Sequence, residues 1–464
     1  MFFKHYFESG LAQNSYLVGC QATGEAIAID PGREIAPYLA TAAAEGLCIT
    51  KVTETHIHAD YLSGSRELAA ATGAELLLSD EGGPDWLYRF DHTGLRDGDE
   101  ITVGNLKLTV LHTPGHTPEH VSFLLFDLPS SEEPVMIFTG DFLFVGDVGR
   151  PDLLEEAAGV AGSKEIGAAQ MFDSLRRLRT LPDYVQVWPG HGAGSACGKA
   201  LGAVPSTTIG YEKMRNWALL FEDKDEFVAA LLEGQPEPPA YFAMMKKLNR
   251  SGPAVLGELP EPPEMGPDAV EQLRSQGAQL VDARSRQAFV GGHVPGSLSI
   301  PDDSGFSNWA GWLVDYQKPI VLIAEASAVP DLVLKLIRIG LDDIVGYLPD
   351  FDAWVDAGYP VATTSQVDAE TLRRIKDRHF ILDVRGRSEF EEGHIDGAHN
   401  VHLGHIRKRV EELPKDQSIV VHCLGGYRSV IASSVLEQLG FTDIVNLIGG
   451  YAAWEHAEKT AKAG

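Results

Sequence analysis

Two histidines and an aspartate fall within five residues in the stretch Thr55–Gly64, THIHADYLSG: His56, His58 and Asp60. Imidazole and carboxylate are the donors a divalent metal takes when it is to do chemistry. Further donors recur downstream. LHTPGHT carries His112 and His116, FTGDFLF carries Asp141, and VWPGHG carries His191. One such histidine alone reads as a satisfied structural residue; the whole set is poorly explained that way. Chemistry of another kind starts at Cys423, in the glycine-rich CLGGYRS. Loop amides from Gly425 and Gly426 and the start of a helix near Ser429 would stabilise a thiolate. Arg428 would add positive charge.

Each donor follows a strand-like run, and a strand ending in a loop can aim several side chains into one space. Ile49–Thr53 precedes His56, Leu106–Thr117 runs into the turn with His116, Val135–Phe144 presents Asp141, and Val185–Gly192 presents His191. Ser65–Thr72 has helical spacing, as does Ile35–Glu45. Met1 to about Ile29 alternates like paired strands, and AIAIDPG stops at Pro31 and Gly32. Past Gly198 the chain reads as helical over Thr208–Leu220, Glu222–Leu232 and Ala240–Asn249. Gly257–Asp268, GELPEPPEMGPD, is a linker dense in proline and glutamate.

The second half contains a repeat. QLVDARSRQAFVGGHVPGS (Gln279–Ser297) aligns with FILDVRGRSEFEEGHIDGA (Phe380–Ala398) at an offset of 101 residues (383 − 282). Asp282 pairs with Asp383, Arg284 with Arg385, His293 with His394, and Trp354 with Trp454. Strands alternating with helices imply two parallel α/β domains. Ala324 stands where the second unit has Cys423, and EASAVPD lacks the glycine-rich loop and the arginine. The first unit can therefore fold without the chemistry of Cys423. Trp354 and Trp454 are expected in the cores; Trp309 and Trp312 are read as core, with an interface as the alternative. The boundaries read are 1–250, 264–362 and 363–464.

The chain has 464 residues, too many for one core. Its 38 Lys plus Arg against 66 Asp plus Glu give a net charge of −28. That argues against nucleic acid or an anionic membrane as partner. The cysteines Cys20, Cys48, Cys197 and Cys423 form no CxxC pair, so a reducing compartment is expected. MFFKHYFESG lacks the apolar run of a secretory signal, and a cytoplasmic location is expected.

Over about Met1–Leu220 these residues resemble the metallo-β-lactamase superfamily, which implies an α/β/β/α sandwich. The family loop HxHxDH reads His56-Ile57-His58-Ala59-Asp60-Tyr61 here, with Tyr61 replacing the last histidine. In dinuclear members that histidine helps hold a second metal, so the departure favours a branch with one. Among the branches the chain is most similar to the persulfide dioxygenases. That resemblance implies one Fe(II) per chain on His56, His116 and Asp141, with His58, Asp60 and His191 orienting the ligands. It also implies that Arg150, of GDVGRPDL, binds a thiol carrier's carboxylate, with Asp152 orienting it. Cys197 could carry sulfur near the iron or be a small buried hydrophobe.

DVRxxxEFxxGHIxGA and the Cys423 loop resemble the rhodanese family. Four residues separate Cys423 from Arg428. Cysteine phosphatases of similar loop design need one more, which favours sulfur transfer. The expected architecture is an α/β protein: a metallo-β-lactamase-like α/β/β/α sandwich followed by two rhodanese-like α/β domains. The order resembles bacterial three-domain fusions of persulfide dioxygenase, Cys-less rhodanese and active rhodanese. This implies a low-molecular-weight thiol persulfide and O2 as substrates, sulfite and thiosulfate as products, and a homodimer or tetramer. The carrier, whether glutathione, coenzyme A or bacillithiol, stays open. Two rivals stand beside it: a dinuclear-zinc thioester hydrolase of the glyoxalase II type, and a non-catalytic first domain with a sulfur-relay rhodanese.

Overall fold

The protein is described by a computed structural model over residues 1–153, 155, 162–195, 197–199, 201–235 and 237–463. It forms two compact units, Met1–Leu259 with Ile337–Gly340, and Pro260–Leu336 with Leu341–Gly464. Among the described residues no helix is long and apolar enough to cross a membrane.

The first unit is built on two six-stranded sheets. One runs in chain order, β1 (Phe2–Glu8), β2 (Gln13–Cys20), β3 (Glu25–Ile29), β4 (Cys48–Thr53), β5 (Glu75–Ser79) and β6 (Thr93–Leu95). The other comprises β7 (Glu100–Val103), β8 (Leu106–His112), β9 (Val121–Asp127), β10 (Met136–Gly140), β11 (Gln186–Pro189) and β12 (Thr207–Thr208). Tyr16, Val18 and Ile29 of the first sheet pack on Leu108, Phe123 and Phe138 of the second, forming the central core. Each such side chain contributes about 1.5–3 kcal/mol by leaving water. Helices Ala36–Ala44 and Ser65–Thr72 cover the first sheet's outer face through Tyr38 and Leu68 on Leu17, Ala28 and Val52. Helices Ser163–Leu178 and Lys224–Leu232 cover the other through Met171, Leu175 and Phe227 on Ile137 and Val187. The layers are α/β/β/α, as the resemblance implied.

Strand ends converge at one edge. β10 and β11 are parallel, with Gly140 level with Pro189, so Asp141 and His191 leave the sheet side by side. Gly190 N–H donates to Gly140 O at 2.7 Å and locks that register. Asn14 of β2 ties the two sheets, donating from its backbone to Gly190 O at 2.8 Å and from its side chain to Pro189 O at 3.0 Å. The helical run past Gly198 is interrupted: Asn216 caps a short 3-10 turn, Trp217–Leu220, and Asp223 caps Lys224–Leu232. Both acceptors satisfy backbone N–H groups that a continuous helix would have bonded.

The second unit holds two all-parallel sheets, one per repeat. β13 (Gln279–Asp282), β14 (Leu298–Ser299), β15 (Ile320–Ile323) and β16 (Ile344–Leu348) run in the order β14-β13-β15-β16. β17 (Ser365–Val367), β18 (Phe380–Asp383), β19 (His399–Asn400), β20 (Ile419–His422) and β21 (Ile444–Leu447) run β17-β21-β20-β18-β19. Trp354 and Trp454 lie in the two cores. Trp309 is buried, whereas Trp312 lies between the repeats, against Gly404 and the rings of His402 and His405.

Candidate metal centre and thiol loop

His56, His116 and Asp141 are brought together from the ends of β4, β8 and β10, all fully buried. Asp141 Oδ2 lies 3.8 Å from His56 Nε2 and 3.7 Å from His116 Nε2. His56 Nε2 and Asp141 Oδ2 are buried and have no hydrogen-bond partner among the described residues. Unpaired buried polar atoms are costly, and three donors facing one point are what a metal ion would satisfy. The donor set fits one.

The backs of these residues are fixed. His116 Nδ1–H donates to Arg150 O at 3.1 Å, which leaves Nε2 as the lone-pair nitrogen. His56 Nδ1 meets Thr55 Oγ1 at 3.0 Å. His191 donates from Nδ1 to Asp141 Oδ1 and from Nε2 to Asp60 Oδ2, each at 2.7 Å. Burial alone would lower the His191 pKa, but Asp141 and Asp60 hold it well above the ordinary value. Asp141 is held well below the carboxylate range: its burial opposes this, and His191, His56 and His116 outweigh it. Burial, with His58 beside it, drives the His56 pKa well down, so the imidazole is neutral and ready to bind. His58 Nε2 meets Asp30 Oδ1 at 3.1 Å. Tyr61 donates to Asp30 O at 3.3 Å and lies on the His58 ring.

Three residues escaped the sequence reading. Asp30, at the end of β3, accepts the Thr55 N–H at 2.6 Å and its hydroxyl at 2.9 Å. His120 accepts the Asp141 N–H at 3.2 Å and takes part in a 2.9 Å bond with Thr113. Glu119 accepts the Ile57 N–H at 2.9 Å. The DPG strand end and the histidine four residues past His116 were the available signals. His112, by contrast, points at Pro118 O, 2.8 Å away.

Arg150 is fully buried and forks onto Asp152, Nη2 to Oδ2 at 2.6 Å and Nε to Oδ1 at 3.2 Å. Cys197 is buried; desolvation raises its thiol pKa, and Asp60 and Asp141 raise it further. Asp60, His191 and Cys197 form a second group with metal-ligating atoms in reach of one another.

In the second unit Cys423 is buried at the end of β20 and unpaired. The Gly426 N–H points at its sulfur from 3.1 Å. Gly426 adopts φ +90°, which an L side chain resists. That turn lets the helix start at once, at Tyr427 rather than near Ser429. Arg428 forks onto Glu389, at 2.6 and 2.7 Å. The shared residues of the repeats form matching scaffolds. Arg284 and Arg385 donate to Asp282 and Asp383, each closest at 2.6 Å. His293 and His394 stack on Phe289 and Phe390 at 3.8 and 3.9 Å.

Family models match both halves: the metallo-beta-lactamase superfamily over residues 9–191, and the rhodanese-like domain over 266–357 and 368–457. The chain is 38% identical over 176 residues to a hydroxyacylglutathione hydrolase of Rhodospirillum rubrum, covering 38% of this chain and 60% of that protein. A crystal structure described as a metallo-beta-lactamase from Staphylococcus aureus is 44% identical, covers 75% of this chain and 98% of its own, and has a TM-score of 0.68. The structure of ETHE1 from Myxococcus xanthus is 32% identical, with 56% and 100% covered and a TM-score of 0.45. With its two-sheet sandwich, its His/His/Asp cluster and its paired parallel sheets, the chain belongs to the metallo-β-lactamase superfamily and carries two rhodanese-like domains.

Proposed function

We propose that the first unit is a non-heme iron persulfide dioxygenase and that Cys423 of the second transfers sulfane sulfur. The observation that carries this is the cluster itself. Two imidazoles and one carboxylate share a face, and Tyr61, where a second metal would find its histidine, is bonded to Asp30. His56, His116 and Asp141 would hold one Fe(II), which supplies O2 activation and a seat for the substrate's terminal sulfur at its open positions. The protein's part is to hold that face rigid. Arg150 O fixes the His116 tautomer, and the Asp60–His191 pair fixes which Asp141 oxygen is free.

The overall change is RSSH + O2 + H2O → RSH + sulfite + 2 H+, in which the sulfane sulfur loses four electrons and O2 gains them. In the second unit the Cys423 thiolate attacks the outer sulfur of another RSSH and expels RS−, which takes up the proton. The sulfite lone pair then attacks the outer sulfur of the Cys423 persulfide, and thiosulfate leaves as the thiolate returns. The Gly426 N–H stabilises the anionic sulfur. Substrates of this kind are small thiol persulfides met in the cytoplasm, and a homo-oligomer is part of the same reading.

A second reading has one observation behind it. Asp60, His191 and Cys197 could hold another ion, which would suit a two-metal hydrolase, the reading favoured by the hydroxyacylglutathione hydrolase of Rhodospirillum rubrum. Against it, both His191 nitrogens already serve carboxylates. Metal content of protein purified without oxygen separates the two, at one iron or two zincs per chain. Oxygen uptake with a thiol persulfide should vanish in His116→Ala; uptake that survives refutes the iron site.

A further inference from the structure

A cavity of about 500 Å³ opens beside the Cys423 loop, and both repeats line it. The cysteine-bearing repeat contributes the loop glycines Gly425 and Gly426 and the buried Asn446; the Cys-less repeat contributes Arg286 and Val290. Arg286 is the one charged side chain on that lining among the described residues.

Charge in the loop's own repeat is already spent. Arg428, expected to add positive charge at Cys423, is forked onto Glu389, and Arg385 is forked onto Asp383. Arg387 donates to Glu391 at 2.6 Å. The repeat offset places Arg286 opposite Arg387 and Val290 opposite Glu391. The Cys-less repeat thus keeps the arginine and has lost its acid. No carboxylate lies within ion-pair distance of Arg286 among the described residues. Its guanidinium instead stands 5.4 Å from the Tyr427 ring, the first residue of the helix after the loop. Tyr427 is itself held by the Cys-less repeat, donating to Asp303 at 2.9 Å.

The repeats are braced across this boundary. Glu437 accepts from His293 at 2.9 Å and from Gly296 N–H at 2.8 Å, and Val430 packs on Phe289 and Val290. Arg286 begins the helix that carries Phe289 and Val290 and lines the cavity beside this brace.

We infer that Arg286 of the Cys-less repeat is the cation that binds the anionic sulfur substrate of Cys423, so that this repeat completes the transfer site. The ligand class is a small sulfur-bearing anion: an inorganic one such as thiosulfate or sulfite, or a persulfide whose carrier bears a carboxylate. The inference rests on Cys423 being the transfer nucleophile, which Cys423→Ser tests separately through loss of transfer.

The experiment compares alkylation of Cys423 by anionic iodoacetate and neutral iodoacetamide in the full chain, read at the Cys423 peptide by mass spectrometry. In Arg286→Ala the ratio of the two rates should fall about fivefold, as expected for loss of one nearby unscreened charge. Arg286→Lys should keep it within about twofold of the parent. The KM of the transfer reaction should rise in Arg286→Ala for thiosulfate, for glutathione persulfide, or for both, and the one that rises names the occupant. An unchanged ratio, equal slowing by both reagents, or no rise in either KM overturns the assignment.

Discussion

Nδ1 of His191 reaches Oδ1 of Asp141 at 2.7 Å, and this leaves Oδ2 as the one carboxylate oxygen turned toward His56 and His116. Without that bond the carboxylate could rotate and offer either oxygen, or neither. His191→Gln should therefore lower iron affinity by about 10- to 100-fold while leaving the fold intact. Anaerobic titration of the metal-free protein with ferrous ion measures it. An affinity equal to the parent's would mean that Asp141 is held without His191.

Gly140 sits at φ +48°, where β10 ends. A Cβ there would stand 2.4 Å from Thr55 Oγ1 and 2.7 Å from His120 Nε2. Both neighbours are fixed, Thr55 by Asp30 and His120 by the Asp141 N–H. Gly140→Ala should cost about 3 kcal/mol or more, from left-handed backbone plus the clash. Denaturant melts of the metal-free protein would show it as a lower midpoint. A midpoint within error of the parent's contradicts the packing described.

The ligands were legible because they lie at the ends of strands, and a strand end is visible in a sequence. So was the repeat, whose spacing holds at 101 residues from Asp282 and Asp383 to His293 and His394. The residues behind the ligands were not. Asp30 acts on a loop that follows another strand, and nothing local marks which acid will meet which amide. Glu119 likewise reaches Ile57, 62 residues away. Arg428 misled in a different way: its charge was read from the loop alone, while its partner Glu389 lies 39 residues earlier, inside the EF of the repeat motif. Arg385 donates to Asp383 and His394 stacks on Phe390, a pattern that Arg284, Asp282, His293 and Phe289 repeat in the other unit.

Burial pushes the Glu119 carboxyl up to about 7, from an ordinary 4.5. The folded chain thus keeps a proton that the unfolded chain releases. The contribution to stability is complete below 4.5 and is lost as pH rises through about 7. Glu119→Gln keeps an acceptor for the Ile57 N–H and cannot ionise. It should remove part of the decline in stability over that window, by about 1.4 kcal/mol for each pH unit at most. Chemical denaturation of metal-free parent and variant at several pH values gives the comparison. Parallel curves for the two would show that Glu119 is not the group responsible.

Glu389 holds Arg428 through two short bonds, with the pair 33% and 21% exposed. Burial would raise the Glu389 pKa, but the Arg428 hydrogen bonds and charge bring it below the ordinary value. The pair therefore contributes above pH 4.5 and is lost as pH falls further. Glu389→Gln removes the negative partner at neutral pH. It should cost about 1 kcal/mol of stability, given the pair's partial exposure. More tellingly, it releases the Arg428 charge beside Cys423. The preference of Cys423 for iodoacetate over iodoacetamide should then rise about threefold, opposite in sign to the change expected on removing Arg286. If the preference falls or stays level, Arg428 is not turned toward the sulfur even when freed.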